Sequence, residues 1–247
     1  MNKTYRDEFV TSGAGALYDS GQYKPGSYWD VVWKREQQIL DDVIAELCRP
    51  ITYLDFACGT GRILGYVTSK VDDATGVDVS EDMLERARSR APRANVICAD
   101  LTADSRCAAG PFDLVTAFRF VLNAEYSLRV AAVRSLAARL KGRGSRLVIN
   151  CHGNRLSYKM GMAPLHWLKR RLGKRVTERV MWPWEMEELL KSAGLEIVAV
   201  HGMAVLPPRI LSIVPLSWRG PLEDVLSRLP ATSRFGVNQV YVCRPRV

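Results

Sequence analysis

The stretch that decides the fold reads Tyr53-Leu54-Asp55-Phe56-Ala57-Cys58-Gly59-Thr60-Gly61. Its apolar start, which ends at Phe56, predicts a buried β-strand. The small residues at positions 57, 59 and 61 allow a tight turn in which a ligand can approach the backbone closely. A helix is expected from about Arg62, so this stretch predicts a strand, a ligand-binding turn and a helix in succession.

The same alternation continues along the chain. The apolar patterns predict strands at 51–56, 74–79, 95–98, 112–118, 146–151, 195–200 and 237–242, and further helices at 29–47, 81–90, 124–140 and 184–193. Strands that alternate with helices form βαβ units around a mostly parallel sheet. The predicted fold class is therefore a doubly wound α/β sheet, which binds ligands at the carboxyl ends of its strands.

Length and composition favour one globular domain. Of 247 residues, 47% are hydrophobic and 25% are charged, which is ordinary for a folded chain. We expect a single domain over 1–247, with 1–48 as an N-terminal arm and helix, and with 154–180 and 204–234 as cap insertions. The chain shows no long apolar run, no secretory signal and no Cys-x-x-Cys pair among its six cysteines, so we expect a cytoplasmic protein.

Positive charge is concentrated in one segment. The net charge is +9, and residues 154–180, called the basic segment below, carry eight Lys and Arg against one Glu. Such a patch indicates a local anionic partner, namely a phosphate, a nucleic acid or the inner membrane surface as a peripheral contact. The alternative is a basic helix face that is simply solvated.

The turn after the first strand resembles a known family. From Asp55 to Gly61 the chain is similar to class I methyltransferases that depend on S-adenosylmethionine (SAM), whose first motif is Asp-x-Gly-x-Gly-x-Gly. Ala57 departs from the motif but is small enough to keep the turn. A dinucleotide site would require Gly-x-Gly-x-x-Gly, and position 64 is Leu. The resemblance implies a Rossmann-like, seven-stranded sheet, mostly parallel with an antiparallel last strand, plus a cap.

Acidic residues after the first three strands complete the predicted cofactor site. By resemblance, Asp55 lies near the methionine part of SAM and Asp78 accepts from the ribose hydroxyls. Met83 packs on the adenine, and Asp100 accepts from the adenine amine. The alternative for Asp100 is a turn cap. The other predicted cofactor contacts are Ala57, Cys58, Gly59, Gly61, Val79, Leu101 and Phe118.

Several acceptor classes lack their sequence signatures. Enzymes that methylate exocyclic base amines resemble one another in an Asn/Asp-Pro-Pro-aromatic signature, where this chain has Thr116 to Arg119. No cysteine follows a proline, as the cytosine C5 type would need. Clustered carboxylates for a metal are also missing near the fourth and fifth strands. We therefore expect no metal, and nucleic acid is not the favoured acceptor.

The ends of the fourth and fifth strands supply the predicted acceptor site. His152 follows the fifth strand and its ordinary pKa suits a general base, although a structural histidine at a strand end is the alternative. Arg119 is the second catalytic candidate, and with Asn123 it could orient an acceptor or a phosphate; the alternative for Arg119 is a structural ion pair. Asn154 is the other predicted acceptor contact.

The run from Phe118 to Asn123, together with Asn154, is also similar to bacterial methyltransferases of glycan, glycolipid and natural-product assembly. That resemblance implies O-methylation of a sugar or similar hydroxyl. The mix of apolar and basic residues after the fifth strand could hold a phosphate-bearing or lipid-linked acceptor, and the alternative is that its apolar residues are simply core. The alternatives are an N- or C-methyltransferase of an amine or quinone, an RNA methyltransferase, and a SAM-binding protein without catalytic activity. The oligomeric state is not determined by the sequence.

Overall fold

A computed structural model of the chain describes residues 27–104, 106–162, 164, 167–168, 171–173 and 179–246. Most of the predicted N-terminal arm lies outside these residues, and so does much of the basic segment, including Lys169, Arg170, Lys174 and Arg175.

Seven strands form one sheet. They are β1 (Thr52–Phe56), β2 (Asp73–Asp78), β3 (Asn95–Cys98), β4 (Leu114–Ala117), β5 (Arg146–Cys151), β6 (Leu195–Met203) and β7 (Asn238–Pro245). Their order across the sheet is β3-β2-β1-β4-β5-β7-β6. The strands β1 to β5 pair in parallel, and β7 lies antiparallel between β5 and β6. The predicted α/β sheet with an antiparallel last strand is confirmed.

Helices cover both faces of the sheet. They are α1 (Tyr28–Ala45), α2 (Arg62–Thr68), α3 (Glu81–Arg90), α4 (Tyr126–Ala137), α5 (Pro183–Ser192), α6 (Pro208–Ile213), α7 (Leu216–Arg228) and α8 (Pro230–Ser233). One apolar core contains Leu40, Leu64 and Leu84 from α1 to α3, and the other contains Leu136 and Leu190 from α4 and α5. Because both faces are covered, the central strands are buried on both sides and read as continuous apolar runs.

Element boundaries differ from the predictions where tertiary contacts decide them. Strand β4 stops at Ala117, because Arg119 adopts a left-handed backbone with φ of 59° that cannot continue a strand. Strand β6 instead extends to Met203, because antiparallel pairing with β7 continues past a bulge at Ile197. Ser80 occupies the N-terminal cap position of α3, but its buried hydroxyl makes no hydrogen bond among the described residues.

The predicted insertion at 204–234 is helical and packs on the sheet. It contains α6, α7 and α8, and α7 contacts both α1 and β6. The buried Glu223 carboxylate fixes the start of the insertion by accepting the backbone N–H groups of Ala204 and Val205. Among the helices of the described part, none is long and apolar enough to cross a membrane.

Candidate functional site

A cleft opens where β1, β2, β3 and β4 end. It encloses about 1010 Å³, including space that is open to solvent, which is the scale of a site for a nucleoside-sized ligand. Every predicted cofactor contact except Gly61 lines this cleft, and so do Arg119 and Asn123. His152 and Asn154 lie outside it. The strand ends therefore bring together residues that are far apart in the sequence.

Asp78 joins two sides of the cleft. Its Oδ2 accepts the N–H of Gly59 at 2.9 Å, and its Oδ1 accepts the N–H of Ser80 at 3.0 Å. Burial raises the pKa of the carboxyl, and these backbone hydrogen bonds partly offset that rise. A carboxylate has about four lone-pair sites, and Asp78 lines the cleft, so it can accept further hydrogen bonds from a ligand.

The two glycines of the turn have different tasks. Gly59 has a φ of 54°, and a Cβ built on it would meet no atom within 4 Å, so the position opens into the cleft. Gly61 has a φ of 79°, and a Cβ there would lie 2.7 Å from the Cα of Ala87 in α3. Gly61 is therefore required for close packing of α2 against α3, while Gly59 leaves room for a ligand.

Asp55 carries a buried carboxyl with an unused oxygen. The side chain is 1% exposed, Oδ1 accepts the hydroxyl of Thr116 at 2.6 Å, and Oδ2 has no hydrogen-bond partner among the described residues. Desolvation raises the pKa of this carboxyl to about 7, against the lowering effects of Thr116 and of the positive charge of Arg62. An orphaned buried oxygen of this kind gains from a donor supplied by a ligand.

Asp100 caps the turn after β3, which is the alternative role considered for it, and it also lines the cleft. Its Oδ1 accepts both the N–H of Thr102, at 2.9 Å, and the hydroxyl of Thr102, at 2.6 Å. It therefore caps the turn after β3 while it lines the cleft beside Leu101. Met83, which is buried on α3, lines the same wall.

Arg119 is held in a strained conformation at the rim of β4. Its left-handed backbone is fixed by its N–H, which donates to Asn150 Oδ1 at 2.5 Å, and by its carbonyl, which accepts Asn123 Nδ2 at 2.5 Å. Its guanidinium carbon lies 4.5 Å from the ring centre of Trp29. Strained residues that are fixed this firmly concentrate at functional sites.

A chain of buried polar side chains connects this rim to the turn after β1, and the sequence predictions missed it. Asn150 Nδ2 donates to Asn238 Oδ1 at 3.1 Å, and Asn238 Nδ2 donates to Glu36 Oε1 at 3.0 Å. Glu36 Oε2 accepts Arg62 Nη1 at 2.9 Å, and Arg62 lines the cleft. The sequence contained one indication of this buried polar chain: Glu36 interrupts the apolar face of α1 at a position with helical spacing.

His152 follows β5 and does not line the cleft, and its environment is positively charged. Its Nδ1 is buried and has no hydrogen-bond partner in the described part of the chain. Burial, followed by the charges of Arg119, Lys159 and Arg179, lowers the pKa of the imidazole to about 3. The ring is therefore neutral near pH 7 and can accept a proton, but its low pKa makes it a weak base.

The two predicted acceptor amides occupy different positions. Asn123 lines the cleft and its Oδ1 accepts Arg179 Nη1 at 2.7 Å. Asn154 is buried and donates to the carbonyls of Arg234 and Gly236, each at 2.9 Å. Asn154 therefore joins the end of β5 to the segment before β7. Groups of three or more His, Cys, Asp or Glu that could hold a metal ion are absent from the described residues.

Comparisons with known proteins agree with this geometry. Residues 54–144 match the family model described as a methyltransferase domain. A curated relative, the dTDP-3-amino-3,4,6-trideoxy-alpha-D-glucopyranose N,N-dimethyltransferase of Streptomyces venezuelae, is 43% identical over 63 residues. That match covers 24% of this chain and only 27% of the relative.

Two solved structures are similar over nearly the whole chain. The magnesium protoporphyrin IX methyltransferase of Synechocystis PCC 6803, crystallised with bound S-adenosylhomocysteine (SAH), has a TM-score of 0.62 at 16% identity and covers 97% of both chains. The CcbJ methyltransferase of Streptomyces caelestis has a TM-score of 0.61 at 17% identity and covers 100% of both chains. At these identities the likeness concerns the fold.

Proposed function

Residues 54–144 match the methyltransferase-domain model, and the fold is similar to that of solved methyltransferases; from that premise we propose that the protein transfers the methyl group of SAM to a small acceptor. The leading acceptor is a hydroxyl on a sugar or glycolipid-like molecule, as the sequence predicts. A sugar acceptor also fits the curated relative, whose name describes an enzyme that methylates an amino sugar.

The observation that carries the proposal is the convergence of Asp55, Asp78 and Asp100 on one cleft. SAM fits these residues in three respects. The orphaned Oδ2 of Asp55 can accept from an amino group, the two oxygens of Asp78 can accept from ribose hydroxyls, and the space in front of Gly59 admits a ligand against the backbone. Carboxylates suit a cationic sulfonium cofactor and would repel a dinucleotide phosphate.

When bound, SAM supplies an electrophilic methyl group on a good leaving group. The chain then has to bind the cofactor and the acceptor, align their reacting atoms and exclude water. Most of the catalytic benefit comes from these three tasks. Phe118 and Met83 provide apolar walls for the cofactor, while Arg119 and Asn123 line the part of the cleft next to β4. We propose that an acceptor enters on this β4 side, between Arg119 and the end of β5.

His152 is the proposed base for a hydroxyl acceptor. It must then approach the acceptor through a shift on binding, because it does not line the cleft. Its pKa of about 3 is lowered partly by neighbouring cations, so an anionic acceptor would raise its proton affinity.

A second candidate is N-methylation of an amine, such as an amino sugar. Two observations favour it: the curated relative is an N,N-dimethyltransferase, and the low pKa of His152 is unfavourable for taking a proton from an alcohol. A neutral amine already has a free lone pair and needs no base before the displacement. This candidate predicts that His152→Asn keeps nearly full activity, whereas the hydroxyl candidate predicts a fall in kcat of at least about a hundredfold.

The first experiment tests cofactor binding with a matched pair of variants. SAH is titrated calorimetrically into the wild type, Asp78→Asn and Asp73→Asn. Asp78 and Asp73 lie at opposite ends of β2, and only Asp78 lines the cleft. We expect Asp78→Asn to weaken SAH binding at least tenfold and Asp73→Asn to leave it unchanged. Equal affinities for all three proteins would contradict the assigned cofactor site.

The acceptor is tested with methyl-labelled SAM and fractionated extract of the source cells. Label in a sugar, glycolipid or small-molecule fraction, with the wild type but not with Asp78→Asn, would support the proposal. Label in RNA or protein would exclude the small-acceptor class. Cofactor binding without label in any fraction would favour a SAM-binding protein that has no catalytic activity.

A further inference from the structure

Arg119 places a positive charge in the cleft that has no counterion among the described residues. Its Nε and Nη2 atoms are buried and have no hydrogen-bond partner among the described residues, and no ion pair between described residues includes it. Nevertheless its side chain lines the cleft. Buried, unpaired donors of a guanidinium are costly, so a ligand that satisfies them binds with a corresponding advantage.

The surrounding residues hold the guanidinium in place. Trp29 lies against its face, while Asn150 and Asn123 fix its backbone on either side of the peptide. A planar donor group held in this manner is preorganised for a carboxylate or a phosphate, which it can bind through two parallel hydrogen bonds. The strained φ of 59° at Arg119 shows that the chain keeps this orientation at an energetic cost.

Other cations reinforce the site. The three charged groups that lower the pKa of His152 are Arg119, Lys159 and Arg179. Arg179 also donates to Asn123 at the cleft. The carboxylate of Glu223, which acts on Tyr28, is occupied by backbone N–H groups and by Ser227.

We propose that Arg119, supported by Arg179 and Lys159, binds an anionic group of the methyl acceptor, either a phosphate or a carboxylate. This inference rests on the proposed function and narrows it to acceptors that carry a negative charge near the methylated atom. The only other source of the same chemistry is the carboxylate of the cofactor itself. Arg119 follows β4, and its charge acts on His152, the residue after β5, which favours the acceptor.

The experiment uses the full chain loaded with SAH. Glucose 1-phosphate and inorganic phosphate are titrated by calorimetry, with glucose as the uncharged control, into the wild type, Arg119→Gln, Arg119→Lys and Arg234→Gln. Arg234 also lies over an aromatic ring, Phe235, but does not line the cleft, so it controls for charge and stacking. We expect saturable oxyanion binding that Arg119→Gln weakens at least tenfold, Arg119→Lys weakens less, and Arg234→Gln leaves unchanged.

A second titration separates the two sources of the anion. SAH carries the cofactor carboxylate, and 5′-methylthioadenosine lacks it. If Arg119→Gln weakens SAH at least tenfold but not 5′-methylthioadenosine, Arg119 holds the cofactor and the proposal is wrong. Absence of oxyanion binding to SAH-loaded wild type, or equal binding by Arg119→Gln, would also overturn it. If the wild type does not bind SAH, the proposed function fails independently, and the oxyanion titration of the free chain still tests Arg119.

Discussion

Glu36 of α1 and Arg62 at the start of α2 form a buried ion pair, with 2.9 Å between Glu36 Oε2 and Arg62 Nη1. The Glu36 side chain is 0% exposed and that of Arg62 is 16% exposed. The pair connects the N-terminal helix to the turn that lines the cleft, and Asn238 extends it toward β7. The fold of the cofactor turn therefore depends on a residue far from the motif.

Removal of one partner should be strongly destabilising. We expect Glu36→Ala to lower the free energy of unfolding by about 3 kcal/mol, because it leaves a largely buried guanidinium without its counterion. The control is Glu81→Ala, which breaks an exposed pair with Arg88 and should cost much less, because solvent screens exposed charges. Chemical denaturation of both variants checks this. Similar losses for the two would show that burial does not determine the strength of the Glu36–Arg62 pair.

The two turn glycines should respond differently to alanine. Gly61→Ala is expected to lower the free energy of unfolding by at least about 2 kcal/mol, because its Cβ would lie 2.7 Å from Ala87. Gly59→Ala meets no atom, so only backbone strain of about 1 kcal/mol is expected, while its methyl group should weaken SAH binding at least tenfold. Denaturation and calorimetry on both variants separate the effects. The prediction fails if the losses of stability are equal.

Ala57 should tolerate, and even favour, the glycine that is usual in the motif. Its φ of 53° is left-handed, so Ala57→Gly relieves strain of about 1 kcal/mol, and the greater freedom of the unfolded glycine chain offsets part of this gain. We expect the free energy of unfolding to be unchanged or slightly higher. Ala131→Gly, on the exposed side of α4, should instead lower it by about 1 kcal/mol. A comparable loss in both variants would contradict the strain at Ala57.

The pKa of Asp55, raised to about 7, predicts a specific pH dependence. In the unfolded chain this carboxyl ionises near pH ~4, so between about pH 4 and 7 the folded state retains a proton that the unfolded state has lost. The contribution of Asp55 to stability is therefore full below about pH 4 and falls as the pH rises to 7, by at most about 1.4 kcal/mol per pH unit.

Denaturation of wild type and Asp55→Asn between pH 4 and 8 measures this effect. The wild type should lose stability relative to Asp55→Asn as the pH rises toward 7, and the difference should then level off. Asp73→Asn serves as the control and should follow the wild type in parallel. A difference between wild type and Asp55→Asn that does not vary with pH would refute the raised pKa.

His152 should report the charge of Arg119 directly. Its pKa is lowered to about 3, first by burial and then by Arg119. We expect the imidazole pKa to rise in Arg119→Gln and to remain low in Arg234→Gln, as followed by NMR titration of the ring, which is practicable with only three histidines in the chain. An unchanged pKa in Arg119→Gln would mean that burial alone sets the proton affinity of His152.

The sequence by itself determined the order of elements and the edge of the sheet that carries the site. Alternating apolar runs at β1 and β3, and the small residues after Phe56, are local features with local causes. Because the carboxyl ends of parallel strands share one edge, Asp55, Asp78 and Asp100 could be assigned to one site before any coordinates.

Only the tertiary structure decided how those residues are used. Gly61 is needed for packing on Ala87, Asn154 joins β5 to the segment before β7, and the chain from Arg62 through Glu36 and Asn238 depends on contacts between residues as many as 202 positions apart. Burial, which also arises from tertiary packing, raises the pKa of Asp55 and lowers that of His152. Desolvation and long-range contact arise when distant segments pack together, so no local pattern in the sequence encodes them.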